Sequence, residues 1–328
     1  MDRRRQIVRS AFAAITAAVL VAAACSHAPD TSGQPKASDI RSLRWVSKDT
    51  DKVAFLSSRP VRCERSSGDF DQAAPTPTDR DRYEVGRLAF ESPALLGGAA
   101  ARMGLSCSSC HLNGRGNAAF FVEGVSDKPG MADVTSSVFS KVRGDGNFNP
   151  VPIPDLAAKD GKQIKDRKSP EFRTKVHGLI VEEFDGQEPP PFVFDAVIAY
   201  LDAQDISTCR DPGAVVSVRA ADDIGDVVKA FHEAGLLDRN GRHDDAQLMA
   251  RAARDRLGRL HERFVAPDQA GVRDALIDAS RSIEAWASGQ RVFAETERDL
   301  EELGVLVLKY GRDSLYEPER LKAAFAEE

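Results

Sequence analysis

The chain has 328 residues, with 45 lysines and arginines against 51 aspartates and glutamates, giving a formal net charge of −6. Hydrophobic residues make up 42% and charged residues 29%, an ordinary globular composition that excludes a mainly disordered, collagen-like or multi-span membrane protein. The acidic charge argues against a nucleic-acid-binding protein, and five cysteines are too few for a disulfide-held miniprotein.

The first 24 residues are typical of a secretory signal peptide. Four arginines near the start are followed by an apolar stretch over 11–24, which ends in three alanines before Cys25. This stretch is shorter than the roughly 20 residues that a membrane-spanning helix needs, although an uncleaved anchor is the alternative. The pattern therefore predicts export to the periplasm or cell envelope.

Cys25 follows small residues, as the lipidated cysteine of a bacterial lipoprotein does, but Ala22 stands where such sites usually have leucine. Membrane attachment through a lipid at Cys25 and a soluble periplasmic form are both compatible with this sequence. We interpret residues 25–80 as a tether and pre-domain segment, because the stretch after Cys25 is polar and contains serine and proline.

Export carries the chain into an oxidising compartment, where disulfides persist. Cys63 and Cys209 lie 146 positions apart and flank the segment 81–209. We therefore expect a Cys63–Cys209 disulfide that closes this segment.

Residues 107–111 have the pattern C-x-x-C-H, which is the attachment motif of c-type haem. The two thiols of Cys107 and Cys110 would add to the haem vinyl groups, and His111 would be the proximal iron ligand. One motif predicts one covalent haem c. A zinc site would need a second close cysteine or histidine pair, and a thioredoxin-like dithiol would need a preceding strand that residues 95–105 do not resemble.

The sixth iron position would decide between two kinds of chemistry. A methionine or histidine there gives an electron-transfer haem, whereas an open position admits peroxide or small ligands. Met131 and His177 are the two candidate distal ligands in the segment 81–209, which we call the haem segment. A different ligand, or no protein ligand, is the third possibility.

Several segments around the motif resemble one known family. They are 86–90 (GRLAF), 104–111 (GLSCSSCH), 144–154, 172–174 (FRT), 183–187 and 195–201. Together they resemble the bacterial di-haem cytochrome c peroxidase superfamily, which includes the methylamine-utilisation-type haem proteins. The resemblance covers about residues 81–206 and implies an all-α, c-type cytochrome-like haem domain with long loops over 81–209. It also implies that Arg173 binds a haem propionate, with a surface salt bridge as the alternative.

The chain departs from this family in two ways. It has one C-x-x-C-H motif instead of two, so the internal relay between two haems is missing. Glu182, Glu183 and Phe184 stand where relatives often have methionine, tyrosine or histidine, so the family's distal ligand cannot be transferred to this chain.

Residues 215–328 contain no cysteine and have the 3.6-residue periodicity of amphipathic helices. The pattern predicts helices at about 221–236, 243–264, 268–287 and 290–309, and a last short helix that starts at Pro318. Short connections favour an antiparallel helical bundle. We expect Arg256, Arg259 and their charged neighbours to form a solvated face.

These features predict an exported mono-haem c-type cytochrome that transfers electrons between redox partner proteins. The alternative is a peroxidase-like haem enzyme that reduces hydrogen peroxide, with Glu182 or Glu183 as acid or base. A third hypothesis makes the chain an anchored module whose bundle docks another redox protein. The sequence indicates no nucleic-acid partner and no further small-molecule ligand.

Overall fold

The computed structural model describes residues 35–65, 79–158 and 164–328. The predicted signal peptide over 1–24 and the predicted lipidation site at Cys25 lie outside the described residues. The all-α fold class is confirmed, because the described residues are mostly helical and form only two small sheets. Within these ranges, no helix has both the length and the apolar character to cross a bilayer.

Twelve α-helices and four short strands form in the described part of the chain. The helices are α1 (Lys52–Ser57), α2 (Asp79–Phe90), α3 (Pro93–Leu96), α4 (Gly98–Met103), α5 (Cys107–Cys110), α6 (Pro170–Gly178), α7 (Pro191–Ala203), α8 (Ala220–Arg239), α9 (His243–His261), α10 (Ala270–Ala287), α11 (Phe293–Tyr310) and α12 (Pro318–Glu327). The strands are β1 (Ser58–Pro60), β2 (Met131–Ala132), β3 (Val151–Pro152) and β4 (Val215–Ser217).

Helices α2 and α7 form the packed centre of the haem segment. Their backbones come so close that a Cβ on Gly86 would lie 2.0 Å from the carbonyl oxygen of Ala196. Only glycine fits this contact, which explains its place in the middle of α2 despite its low helix propensity. Val85 and Leu88 of α2 and Val193 of α7 are buried in the same core.

A long irregular connection joins α5 to α6. Within its described residues, the regular structure is a 3-10 turn over Leu112–Gly114 and the antiparallel pair β2–β3. Met131 pairs with Pro152 and Ala132 with Val151. This pair joins two parts of the long connection.

Helices α8 to α11 pack in a ring, since α8 contacts α9 and α11 and α10 contacts the same two. Phe231 of α8 stacks on Phe293 of α11 at 4.7 Å between ring centroids, and Trp286 of α10 meets Phe231 edge-on at 5.0 Å. The four predicted helices are confirmed with boundaries shifted by a few residues, and α12 starts at Pro318 as predicted.

Residues 35–65 fold onto the rest of the described chain. Ile40 and Leu56 are buried in a small second core with Leu315 and Leu321 from the C-terminal end. Strand β1 pairs with β4 in antiparallel register. The predicted disulfide between Cys63 and Cys209 is confirmed, so one covalent link ties this segment to the end of the haem segment.

A buried ionic network, which we call the Glu91 network, joins α2 to α8 and α9. The Glu91 carboxylate takes ion pairs from Arg62, Arg87 and Arg256, and its side chain is 7% exposed. Asp226 of α8 pairs with both Arg87 and Arg256. The prediction of a solvated face was therefore wrong for Arg256, because its guanidinium pairs inside the molecule with Glu91, just after α2, and with Asp226 of α8.

The haem segment and the C-terminal helices share one hydrophobic core. Residues 35–328 also belong to one compact unit. The division into a haem domain over 81–209 and a helical bundle domain over 215–328 stays a prediction.

Candidate haem site

Helix α5 is a single turn, and that turn sorts the motif's side chains between two sides. Its N-cap is Ser106, whose backbone N–H donates to the hydroxyl of Ser109 at 3.1 Å. The N–H of His111 donates to the carbonyl of Cys107 at 2.9 Å, closing the turn. Because residues three and four apart share a side of a helix, Cys107, Cys110 and His111 point the same way.

These three side chains line an apolar cavity of about 330 Å³. The other walls come from α2, α3, the long loop, α6 and α7. Its apolar lining includes Phe90, Leu95, Leu96, Leu105, Phe120, Val134, Phe139, Ile153, Phe172, Val176, Leu179, Ile180, Phe184, Val197 and Leu201. Two thiols and one imidazole facing a cavity with almost wholly apolar walls fit the donor set and the surroundings that a covalent haem needs.

His111 has the geometry of an iron ligand. Its Nδ1 lies 3.1 Å from the carbonyl oxygen of Pro154. Burial lowers the pKa of His111 to about 4, outweighing the Pro154 hydrogen bond and Asp155, which raise it. The ring is therefore neutral, and since a carbonyl only accepts, Nδ1 carries the proton. Nε2 is left with a lone pair, and the Pro154 contact fixes the ring's tautomer and orientation.

The two motif cysteines are free thiols. Burial raises the pKa of Cys107 and of Cys110 to about 12 in both cases. A redox dithiol instead depends on a lowered thiol pKa, so these values argue against a thioredoxin-like role. Cys63 and Cys209 are bonded to each other, so neither can complete a zinc site with the motif. Among the described residues there is no cluster of three or more histidine, cysteine, aspartate and glutamate side chains suited to a metal ion.

The structure does not bring either candidate distal ligand to His111. Met131 lies in β2, where the neighbouring Ala132 lines the cavity and Met131 does not. His177 is partly exposed at the end of α6, with its Nε2 2.7 Å from a carboxylate oxygen of Glu188. Neither is among the described residues that line the apolar cavity.

Arg173 is likewise placed outside the lining. Its guanidinium donates to Asp195 at 2.6 Å and lies 5.0 Å from the ring centre of Phe194, with 39% of its side chain exposed. Arg167 lines the cavity instead, and it is almost fully buried. It donates to the carbonyls of Leu201, at 2.7 Å, and Leu156. Sequence reasoning missed Arg167 because it sits in a polar run with no recognisable pattern.

Glu182 and Glu183 end a π-helical turn over Leu179–Glu183. Leu179 and Ile180 of this turn line the apolar cavity, whereas both glutamates pair with Arg143. Glu183 is buried, and burial raises its pKa against the opposing effect of Arg143. The two glutamates predicted to act as acid or base therefore do not line the apolar cavity, and both form ion pairs with Arg143.

A second and larger cavity, of about 700 Å³, lies on the other side of α5. Ser108 and Ser109 line it, Cys107 and Cys110 line the apolar cavity, and Ser106 reaches both. Its walls are rich in charged side chains from α2, α8, α9 and residues 40–64. We call it the charged cavity, and no sequence signal pointed to it.

Comparison with known proteins identifies no relative of the chain. No family model, no curated protein and no solved structure matches the chain. The resemblance to the di-haem peroxidase superfamily therefore stays a prediction from the sequence.

Proposed function

We propose that the chain is an exported mono-haem c-type cytochrome that transfers electrons in the cell envelope. The observation that carries this proposal is the convergence of Cys107, Cys110 and His111 on one apolar cavity. A haem c attached there would supply one-electron chemistry at its iron.

Each of these residues would have a separate task. Cys107 and Cys110 would hold the cofactor through thioether bonds, and His111 would ligate the iron through Nε2. The carbonyl oxygen of Pro154 accepts a hydrogen bond from the Nδ1–H of His111. This bond fixes the orientation of the ring for ligation and raises the basicity of Nε2. Arg167 on the same cavity wall is a cation suited to a haem propionate, a role that the sequence analysis gave to Arg173.

The apolar walls would also set the properties of the site. They would keep water away from a bound haem, whose potential depends on burial and solvent access. Phe90 packs against His111 at 6.5 Å between ring centroids and holds the ligand's ring from the α2 side.

The test is the mass and the spectrum of the mature chain produced in cells that attach haem c. After denaturation and extraction with acidified acetone, we expect the polypeptide to keep the mass of one haem. A reduced-minus-oxidised spectrum should show a low-spin, six-coordinate haem. A mass equal to that of the bare polypeptide contradicts the proposal.

The second candidate function is a peroxidase-like reduction of hydrogen peroxide. It is favoured by one observation, namely that Met131 and His177 both lie away from the cavity lining in the described chain. A high-spin ferric spectrum together with peroxide turnover would support this function over electron transfer. A low-spin spectrum without turnover would discard it.

A further inference from the structure

The charged cavity holds more positive than negative side chains. Its volume of about 700 Å³ falls within the range of small-molecule sites. Among the described residues that line it, nine are arginines or lysine and seven are acids. The bases are Arg41, Arg59, Arg62, Arg87, Arg219, Lys229, Arg256, Arg259 and Arg263, and the acids are Glu64, Glu84, Glu91, Asp222, Asp223, Asp226 and Glu262.

Most of these charges neutralise each other in ion pairs. The pairs include Arg41 with Glu262, Arg62 and Arg256 with Glu91, Arg87 with Glu84 and Asp226, Arg219 with Asp222, and Lys229 with Glu84. Asp223 pairs with Arg256, and Glu64 accepts a hydrogen bond from the hydroxyl of Tyr83. Because these side chains already pair with each other, a ligand of the cavity would have to bind to other side chains of the lining.

Arg59 and Arg263 differ from the other bases. Arg59 donates to the main-chain carbonyls of Phe55 and Ser58, and Arg263 to those of Leu56 and Leu315. Within the described ranges, neither guanidinium forms an ion pair with a carboxylate. Burial, reinforced by the positive charge of Arg263, lowers the pKa of Arg59 to about 10. Asp223 opposes this shift, but its ion pair is with Arg256. Among the described residues, Arg59 and Arg263 thus line one cavity without an ion pair of their own.

We propose that the charged cavity binds a small dianionic ligand, a phosphate monoester or a dicarboxylate, through Arg59 and Arg263. Two guanidinium groups match the oxygen atoms of such an anion and neutralise its two charges. Trp45 and Phe55 add apolar surface to the same lining, which suits the organic part of the ligand. This inference does not depend on haem attachment, because the lining residues lie on the opposite side of α5.

The experiment uses the mature full-length protein and calorimetric titration with inorganic phosphate, phenyl phosphate and succinate. All titrations are made against sodium chloride at the same ionic strength. We expect saturable binding of phosphate or of succinate, and the arm that binds identifies the type of anion. If neither phosphate, phenyl phosphate nor succinate binds beyond the chloride reference, the proposal is overturned.

Variants then test the two arginines. Arg59→Gln and Arg263→Gln should each weaken binding of the selected anion about tenfold or more, since each removes a charged hydrogen-bond donor. Arg281→Gln is the matched control, because Arg281 is an exposed arginine of α10 that pairs with Asp278. It should bind within twofold of the wild type.

If Arg59→Gln does not fold, Arg59→Lys replaces it, because lysine keeps the positive charge and loses the planar pair of hydrogen-bond donors. Its affinity should fall several-fold, with an unfolding transition as cooperative as that of the wild type. Unchanged affinity in the folded Arg59 and Arg263 variants would assign the bound anion to another place and overturn the proposal.

Discussion

The two cavities on either side of α5 are built from opposite chemistry. The apolar cavity takes Cys107, Cys110 and His111 from this one turn, and the charged cavity takes Ser108 and Ser109. The first is shaped by burial, which keeps His111 neutral and both thiols protonated. The second is shaped by ion pairs that keep arginines and carboxylates charged inside the molecule.

This contrast explains why changes on the two sides of α5 should have different consequences. Loss of Cys107, Cys110 or His111 in the apolar cavity would remove a bond to the proposed haem. Loss of a group in the Glu91 network leaves another charge buried without its partner, which costs stability directly.

The largest effect is expected from replacing both motif cysteines. The double variant Cys107→Ala, Cys110→Ala should carry no covalent haem, because no thiol remains to form a thioether bond. The measurement is the polypeptide mass after extraction with acidified acetone. Ser108→Ala is the matched control from the same helical turn, and it should keep the haem since its side chain lines the charged cavity.

The sequence was most informative where chemistry or periodicity is local. The spacing of Cys107, Cys110 and His111 implied that all three belong to one site, and a single turn of helix brings them together. The helices of the C-terminal region were predictable because each has an apolar stripe at 3.6-residue spacing. The Cys63–Cys209 bridge followed from the predicted oxidising compartment and from the small number of remaining cysteines.

Features that depend on distant contacts were not predictable in this way. Arg256 looks like a surface residue in the sequence, and its burial is favourable because Glu91, Asp223 and Asp226 from other parts of the chain pair with it. The role of Pro154 depends on its main-chain carbonyl, which has no sequence signature. The prediction of Met131 and His177 as distal ligands rests on residue type and on position in the segment 81–209, and neither determines which side chains face the cavity.

The next largest effect should come from the centre of the Glu91 network. Glu91→Gln should lower the free energy of unfolding by about 3–5 kcal/mol, because arginines from two helices lose a buried anionic partner. Urea unfolding at pH 7 measures this change. Asp278→Asn is the control, since its exposed pair with Arg281 should contribute less than about 1 kcal/mol. Equal losses in both variants would contradict the difference between buried and exposed pairs.

Removal of the disulfide should be nearly as large. A Cys63→Ser, Cys209→Ser variant should be less stable by about 2–5 kcal/mol, because the unfolded chain regains the entropy of a long open loop. We expect the haem to remain attached, since neither cysteine lines the apolar cavity. Comparing urea unfolding with the haem mass of the same sample tests both statements. A variant that lost its haem while remaining folded would show that the bridge shapes the haem site itself.

Acid should weaken the Glu91 network at a defined pH. The positive charges of Arg256, Arg87 and Arg62 hold the pKa of Glu91 far below its usual range, despite the opposing effect of burial. The unfolded chain binds this proton first, at about pH 4.3, so Glu91 stabilises the fold above that pH. The contribution should fall by about 1.4 kcal/mol per pH unit below it.

The measurement is urea unfolding of the wild type and of Glu91→Gln between pH 7 and pH 3. The stability difference between the two proteins should be constant down to about pH 5 and shrink below about pH 4.3. A difference that stays constant to pH 3 would mean that Glu91 titrates alike in both states.

The smallest effect is expected at Arg173, the arginine that the sequence analysis assigned to a propionate. Its pair with Asp195 is 39% and 52% exposed on the two sides, and exposed pairs of this kind contribute less than about 1 kcal/mol. Arg173→Gln should therefore leave both the unfolding free energy and the haem spectrum close to those of the wild type. Arg167→Gln should change the spectrum, because Arg167 is buried in the cavity lining. A spectral change in the Arg173 variant alone would assign the propionate contact to Arg173. This part of α6 would then have to lie closer to the haem than it does here.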